Sequence, residues 1–245
     1  MPNDWLLELG HSRLKLGRRI NGGLTAAEAV EAMELEQFGA WLAAQRPGPH
    51  DRFWLAAVPA PEVTAGVTDE LARAGLAWTA VTTGSVALPV AASYPGMGVD
   101  RWLALQPLWA RLRSSFCMVD CGTATTIDLV GAKGVHVGGW IMPGVDAARG
   151  GLLMRAPGLR RPSIDPETQL GPARDTAVAI ERGLLLQQVG AIALARRAAA
   201  DLPEFNRTAP LVLTGGAAAR LQSFLDEARV EPDLVLQGLA MAVES

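Results

Sequence analysis

The residues best suited to chemistry stand at a bend between two apolar runs in the middle of the chain. An apolar run over residues 116–119 ends in the carboxylate of Asp120, and Gly122 and Thr123 precede a second β-prone run over 125–130. This order predicts a strand, a tight turn and a second strand. Glycine lets the backbone approach a bulky group closely, and nearby N–H groups can face an anion. A carboxylate beside a phosphate-binding turn makes sense if a cation lies between the two.

The N-terminus repeats this order of acid, spacer, glycine and hydroxyl region. Glu8 follows an apolar run and is succeeded by Gly10, His11 and Ser12, and then by an alternating segment that carries Lys15. Two such hairpins, roughly half a chain apart, suggest two similar lobes that each offer one phosphate-facing turn. Either hairpin alone is equally well explained as an ordinary turn, because turns of this composition are common. Lys15 could neutralise phosphate, although a solvated lysine on a strand is the more common case.

A third candidate lies where a loop meets an amphipathic helix predicted for residues 101–113. Asp100 stands at the helix start, where aspartate is a preferred N-cap, but a helix N-terminus is also an anion site. It is therefore either a cap, a catalytic base or both. Arg101 could clamp a carboxylate or a phosphate. Tyr94, the only tyrosine, lies in the preceding Pro/Gly loop and could equally be a hydrophobic plug.

Composition limits the classes of protein. The chain has 245 residues, of which 49% are hydrophobic, so it can form one large or two modest globular domains. A net charge of −3 does not indicate a nucleic-acid binder. Cys117 and Cys121 are typical of small core residues, and three scattered histidines make a zinc site improbable. We find no signal peptide and no apolar run of membrane-spanning length, which favours a cytoplasmic protein.

The common nucleotide and hydrolase motifs are absent from the sequence. It contains neither G-x-x-x-x-G-K-[ST] nor G-x-G-x-x-G after a strand, and neither G-x-S-x-G nor H-E-x-x-H. A nucleotide site would therefore have to use the two hairpin turns. The triplet at 214–216, Thr-Gly-Gly after an apolar run, is a further loop that could approach a ligand, although it could simply begin a helix.

The remaining elements predict alternating strands and helices, hence a layered α/β fold. A capping box at 25–28 predicts a helix that continues to about Gln45. A Thr/Gly/Ser/Pro-rich loop covers 82–98, and an irregular, proline-rich loop covers 156–172. Further predictions are strands at 53–58, 77–81, 135–142 and 210–213, and helices at 67–74, 144–155, 173–200, from 217, and 232–243. The chain is expected to divide into lobes 1–114 and 115–245.

Taken in order, these segments resemble the type III pantothenate kinases, members of the acetate and sugar kinase/Hsp70/actin superfamily. The resemblance rests on stretches that span nearly the whole chain. They are the N-terminal hairpin, the segment YPGMGVDR at 94–101, DCGTATTID at 120–128, GGWIMPG at 138–144, Asp175-Thr176, and TGG at 214–216.

The resemblance implies a fold and an activity. The fold would be α/β, with two actin-like (ribonuclease H-like) lobes and an ATP cleft between them. The activity would be transfer of the ATP γ-phosphate to the primary hydroxyl of pantothenate, the first step of coenzyme A biosynthesis. It would use Mg²⁺ and a monovalent cation, K⁺ or NH₄⁺. The protein would be a cytoplasmic homodimer with no nucleic-acid or membrane partner.

The resemblance also assigns roles by position. Asp100 would be the catalytic base, and Asp120 would bind the monovalent cation. The pantothenate site would comprise Tyr94, Gly98, Val99, Asp100, Arg101 and Thr176, the last from the partner subunit. The ATP phosphates would be held by Glu8, Leu9, Gly10, His11, Ser12, Arg13, Leu14, Lys15 and Thr123.

The first hairpin departs from the family pattern, which reads D-x-G-N-[ST] there. This chain has Glu8 in place of the aspartate and His11 in place of the asparagine. The longer acid and the bulkier ring could displace the phosphates, and a displacement of about 1 Å can cost roughly a hundredfold in rate. The alternative hypothesis is therefore a catalytically weak relative that acts as a regulatory or binding protein. A third hypothesis is an actin-like phosphotransferase with another small acceptor.

Overall fold

The computed structural model describes residues 3–20, 23–25, 28–31, 35–58, 61–159 and 169–243. The described residues form two compact units, each built from one mixed β-sheet and helices. The first unit comprises the described part of Met1–Arg111 together with that of Asp233–Ser245, and the second is Leu112–Pro232. The predicted α/β class is confirmed.

The described residues of the first unit form six strands and four helices. The strands are β1 (Asp4–Leu9), β2 (Arg13–Ile20), β3 (Gly23–Leu24), β4 (Glu28–Glu31), β5 (Arg52–Ala57) and β6 (Ala77–Ala80), and the helices are α1 (Leu35–Gln45), α2 (Pro61–Arg73), α3 (Val99–Leu112) and, from the C-terminus of the chain, α7 (Leu234–Ala242).

The sheet of this unit has the order β3-β2-β1-β5-β6, and β4 also pairs with β2. The β1–β2 pair is antiparallel, whereas β1, β5 and β6 run parallel. Alternate residues of β1 and β2 face the same buried layer, which includes Leu7, Leu9, Leu14 and Leu16. Helices α1 and α2 cover this layer through residues such as Phe38. The hairpin is therefore fixed by its own apolar alternation.

A buried carboxylate, Asp51, ties the start of this sheet together. It accepts hydrogen bonds from the Asn3 N–H (2.8 Å), the Trp5 indole N–H (2.9 Å) and the Gly48 N–H (3.1 Å). Burial by itself raises the pKa of the Asp51 carboxyl. The hydrogen bonds from Asn3, Trp5 and Gly48 more than offset this, and the pKa is lowered to about 2.

This shift makes Asp51 a source of acid sensitivity. Replacing Asp51 with asparagine is expected to lower the free energy of unfolding at pH 7 by roughly 2 kcal/mol. The folded-state pKa lies below the unfolded value near 3.8, so the contribution is complete above about pH 4 and is lost as pH falls towards 2. Urea unfolding of both proteins at pH 7 and pH 2.5 should show the difference narrowing. Asp69→Asn, an exposed change on α2, serves as the control; a constant difference across pH would contradict this account.

The second unit contains five strands and three helices among its described residues. They are β7 (Phe116–Cys121), β8 (Ala124–Val130), β9 (His136–Pro143), α4 (Val145–Arg155), α5 (Thr176–Ala199), β10 (Leu211–Thr214), α6 (Ala218–Gln222) and β11 (Arg229–Val230).

The second sheet has the order β11-β10-β7-β8-β9. Strands β7, β8 and β9 form an antiparallel meander, and β7, β10 and β11 run parallel. One face of the sheet packs against α5 and α6 in a core that includes Cys117, Cys121, Leu185 and Ile192. Burial raises the pKa of each thiol to about 12, so both cysteines remain neutral core residues, as predicted.

Both sheets therefore share one topology, in which an antiparallel meander continues into parallel strands on the far side of its first strand. This duplication confirms the predicted pair of similar lobes. In each unit the acid of the predicted turn lies at or next to the end of the first strand: Glu8 on β1 and Asp120 on β7.

Some predicted boundaries are wrong. The predicted helix over residues 25–45 begins only at Leu35, because residues 28–31 pair with β2 as strand β4. The predicted capping box at 25–28 includes residues 26–27, which lie outside the described residues. Residues 160–168 of the loop predicted for 156–172 also lie outside them. Asp100 does not cap α3, since the helix begins at Val99 and the Gly98 carbonyl accepts the Trp102 N–H at 3.1 Å.

The C-terminal helix belongs to a different unit from the one predicted. The sequence assigned residues 115–245 to the second lobe, but α7 packs against β1, β2 and β3 of the first unit. A side chain in place of Gly238 would enter the backbone of Leu103 in α3, so this contact is close. The first unit is thus completed by the last segment of the chain.

Helix α5 corrects the statement that no apolar run reaches membrane-spanning length. Its 24 residues are long and apolar enough by composition, with a mean hydropathy of 1.3 over an 18-residue window of which 28% is buried. One face nevertheless contributes Leu185, Ile192 and Ala199 to the core of the second unit. A core helix can meet the same criteria, so this single helix is weak evidence for a membrane span.

Candidate functional site

The β1–β2 turn presents polar groups at the end of a rigid hairpin. The Gly10 N–H donates to the Arg13 carbonyl at 2.9 Å, which closes the turn. His11 and Ser12 are exposed at its tip, whereas Leu9 and Leu14 point into the core. Of the residues predicted to bind ATP here, the two leucines therefore offer only their backbone groups.

Lys15 is held between two acids. It lies directly opposite Glu8 across the hairpin, with its Nζ 3.5 Å from Glu8 Oε2 and 3.7 Å from Asp233 Oδ1. Asp233 precedes α7, so the C-terminal segment reaches the predicted ATP turn of its own unit. The charge of Glu8 is thus partly neutralised from within the chain, and the positive charge of Lys15 is shared.

The start of α3 gathers the predicted acceptor-side residues. A Cβ at Gly98 would lie 2.5 Å from Asp100 Oδ1, so glycine leaves room for that carboxylate. Arg101 is 6% exposed, and its Nη1 donates to the Tyr94 hydroxyl at 2.7 Å. The Tyr94 ring is exposed, so it is not the hydrophobic plug of the alternative interpretation. Val99 is buried and contributes backbone only.

The β7–β8 turn of the second unit is enclosed by two other segments. The Gly144 N–H, at the start of α4, donates to the Thr123 carbonyl at 3.0 Å. A Cβ at Gly144 would penetrate the Gly122 carbonyl oxygen and lie 2.8 Å from that of Thr123. On the other side, a Cβ at Gly215 would overlap Asp120 Oδ1. Only glycine permits the backbone to approach the turn this closely.

The two hairpins differ in what faces their acid. Glu8 is opposite a lysine, whereas Asp120 is opposite Thr126, an uncharged residue on the same sheet face. Thr126 is 8% exposed, and among the described residues its Oγ1 has no hydrogen-bond partner. Directly opposed residues have Cβ atoms about 5 Å apart. Asp120 and Thr126 thus offer a carboxylate and an orphaned hydroxyl oxygen that could share one cation.

These ligand types fit a hard cation. Within the described ranges no group of three or more His, Cys, Asp or Glu side chains could hold a metal ion. Carboxylate and hydroxyl oxygens are ligands of hard cations rather than of soft transition metals. The pair Asp120 and Thr126 is therefore chemically compatible with a hard cation.

The buried carboxylate of Glu181 links helices α4, α5 and α6, each of which begins next to a segment singled out in the sequence. Glu181 on α5 accepts two hydrogen bonds from Arg149 on α4, at 2.6 and 2.8 Å, and a longer one of 3.4 Å from Arg220 on α6. The hydrogen bonds from Arg149, then that from Arg220, hold the pKa of Glu181 below its ordinary value despite burial.

Thr176, the first residue of α5, is exposed. Asp175 caps this helix by accepting hydrogen bonds from the N–H groups of residues 177 and 178.

The structure thus brings Tyr94 together with Arg101, Glu8 with Lys15, and Asp120 with Gly215. Sequence reasoning quoted Gly144 and Thr126 only as parts of longer segments, and it did not single out Glu181 or Asp233. The sequence did contain a signal for the glycine, because a Pro-Gly pair followed a predicted strand. A buried glutamine or glutamate within an apolar helix carries no comparable signal.

Comparison with solved structures defines the class of fold. A protein of the Baf family from Campylobacter jejuni matches with a TM-score of 0.66 at 17% identity, over 98% of this chain and 97% of that one. An inorganic polyphosphate/ATP-glucomannokinase from Arthrobacter matches with a TM-score of 0.51 at 13% identity, over 100% and 99% of the two chains. The chain shares its fold with both of these proteins.

Sequence comparison is more specific. The family model described as type III pantothenate kinase matches residues 6–197. The type III pantothenate kinase of Alkalilimnicola ehrlichii is 35% identical, over 98% of this chain and 97% of that protein. That of Pseudomonas aeruginosa is 38% identical over 152 residues, which span 61% of this chain and 60% of that protein. The chain belongs to the type III pantothenate kinase family.

Proposed function

We propose that this protein transfers the γ-phosphate of ATP to the primary hydroxyl of pantothenate, forming 4'-phosphopantothenate for coenzyme A biosynthesis. Family membership supports the kinase class. The observation that carries the proposal is the start of α3, where Asp100 faces the space left by Gly98 and Arg101 is bonded to Tyr94. A carboxylate, a guanidinium and a phenol together suit an acceptor with both a hydroxyl and a carboxylate.

Each residue of this site has a role that follows from its chemistry. Phosphoryl transfer depends on alignment and charge neutralisation more than on a strongly activated nucleophile. The acceptor hydroxyl loses its proton late, and Asp100 accepts it. The Arg101 guanidinium, held by its hydrogen bond to the Tyr94 hydroxyl, pairs with the pantothenate carboxylate. Gly98 and Val99 line the same site with their backbone, and Thr176 contributes a hydroxyl from the partner subunit.

Each of the two turns carries groups that suit ATP phosphates. Residues 8–15 offer backbone N–H groups and the Ser12 hydroxyl, and Thr123 offers the same groups on the β7–β8 turn. Lys15 is already near these groups, and its charge is shared between Glu8 and Asp233. Mg²⁺ bound with ATP would supply charge neutralisation at the β- and γ-phosphates.

Asp120 and Thr126 bind the monovalent cation, K⁺ or NH₄⁺. Replacing Thr126 with valine preserves the strand and removes one oxygen, so the K⁺ concentration that gives half-maximal activity is expected to rise about tenfold. Melting temperature measured against KCl concentration supplies a second readout that is independent of turnover. NaCl at equal ionic strength is the control. An unchanged K⁺ dependence in both measurements would contradict a role for Thr126.

One observation favours the alternative of a catalytically weak relative. Glu8, which replaces the family aspartate, is paired with Lys15 rather than left available to a metal ion. The double substitution Glu8→Asp with His11→Asn restores the family pattern and is expected to change kcat by less than about threefold, because the turn is already closed by Gly10 and Arg13. Steady-state kinetics decides between the hypotheses, since a gain of a hundredfold or more would show that the natural turn is impaired.

We also propose that two copies associate through the second unit. Large apolar side chains are exposed on β9, an edge strand, and on α4 and α5, which pack against each other. They are Trp140, Ile141, Leu152, Met154, Leu186 and Leu194. Large apolar side chains left exposed on neighbouring elements are typical of a surface that associates with another chain. A solution mass twice the 25.8 kDa of one chain, reduced to that of one chain by Ile141→Glu, is the expected result.

A further inference from the structure

Gln106 is a fully buried amide within the apolar helix α3. Its Nε2 donates to the carbonyl oxygens of Val90 and Trp102, both at 2.9 Å, and its Oε1 accepts the Val90 N–H at 2.9 Å. The Trp102 indole N–H also donates to the Val90 carbonyl, at 2.8 Å. The side chain therefore pairs with the Val90 peptide group as a neighbouring strand would.

Val90 lies in the middle of residues 82–98, which we call the acceptor loop. This loop contains no helix or strand, and Val90 itself is completely buried. Two further contacts tie the loop: the Thr83 hydroxyl donates to the Met97 carbonyl at 2.7 Å, and Arg101 donates to the Tyr94 hydroxyl. The Val90 contact anchors the long span between the base of the loop and Tyr94.

An apolar residue at position 106 would leave the buried Val90 N–H without the hydrogen bond that Gln106 accepts. Burying an amide is costly unless all its groups are paired, and here both N–H groups and the oxygen have partners, two of them on one loop residue. Helix α3 carries Asp100, Arg101 and Gln106 on one rigid element, about 9 Å apart along the axis from the first to the last. The amide therefore fixes the loop in the frame of the proposed base.

We propose that Gln106 is a positioning residue that acts through Val90 to hold Tyr94 against Arg101, and thereby completes the acceptor site. This rests on the proposed function for the identity of the acceptor. Gln106 does not touch the substrate. Its loss releases the acceptor loop while leaving the helix, the base and the ATP-binding turns in place.

The chain has a single tyrosine, so incorporation of 3-fluorotyrosine gives one ¹⁹F resonance, from Tyr94. In Gln106→Leu, which retains an apolar volume but no pairing for the Val90 N–H, this resonance is expected to shift towards the free amino-acid position. The kcat/KM for pantothenate is expected to fall about 10- to 100-fold, as for other misplaced groups. The KM for ATP should stay within about twofold.

Two tryptophan variants separate positioning from general destabilisation. Trp102→Phe removes one hydrogen bond to Val90 and should give a smaller effect of the same kind. Trp5→Phe removes a matched buried indole bond, to Asp51 at the start of the sheet, and should leave the resonance and the pantothenate kinetics unchanged. Unchanged ¹⁹F and pantothenate values in Gln106→Leu, or equal losses in Trp5→Phe, would overturn the proposal. If pantothenate gave no turnover in the unmodified protein, the proposed function would fail, while the ¹⁹F shift in Gln106→Leu would still support the positioning role.

Discussion

Replacing Asp100 with asparagine is expected to lower kcat for pantothenate phosphorylation by roughly 10²- to 10⁴-fold. Asparagine has nearly the same shape and can occupy the space beside Gly98, but its amide cannot accept the hydroxyl proton. Asp100 is not among the residues proposed to bind the ATP phosphates, so the KM for ATP should change little. A coupled assay of ADP formation, with pantothenate and KCl present, measures both constants.

The control for Asp100→Asn is Asp69→Asn, which removes a carboxylate from an exposed position on α2 of the same unit. It should leave kcat unchanged. Equal turnover in the Asp100→Asn protein and the unmodified protein would remove Asp100 from the role of base. Asp100 lies inside the first turn of α3 and does not serve as its cap.

The substitution Gly144→Ala, which adds a single methyl group, is expected to have the second largest effect on catalysis. Ala at this position would drive its Cβ into the carbonyl oxygens of Gly122 and Thr123, which are backbone atoms and cannot rotate away. Its φ of −67° and ψ of 173° suit any residue, so the cost is steric rather than conformational. The phosphate-facing turn must shift, and kcat/KM for ATP is expected to fall about a hundredfold.

Gly150→Ala provides a matched control within α4. The same chemical change there meets no atom of the described residues beyond its own helical turn. Alanine is the better helix former, so the melting temperature should stay the same or rise, and the kinetics should not change. If Gly144→Ala retained full kcat/KM for ATP, the close approach of α4 to the β7–β8 turn would have no functional importance.

The hairpins could be predicted from the sequence because their signals are local. Alternating apolar residues and a glycine at the bend determine both the strands and their register, and β1–β2 and β7–β8 form as expected. The capping box at residues 25–28 is also local, but the pairing of β4 with β2 overrides it. A local helix signal therefore fails to predict the structure where the same residues can form hydrogen bonds to a neighbouring strand instead.

Long-range contacts explain what the sequence did not reveal. Helix α7 follows the second unit along the chain but completes the first, and it brings Asp233 to Lys15. Gln106 looks like any helical glutamine until its partner at Val90 is known. The roles of Asp100, Asp120, Thr123 and Thr176 depend on bound ligands, so they remain predictions that the kinetic experiments test.

The most direct test of the central claim is ³¹P NMR of the purified protein with ATP, Mg²⁺, K⁺ and pantothenate. We expect the γ-phosphate resonance to be replaced by one phosphomonoester resonance, matching 4'-phosphopantothenate, in step with ADP formation and abolished by Asp100→Asn. Release of inorganic phosphate alone, or persistence of ATP under these conditions, would contradict the assignment of this chain as a pantothenate kinase.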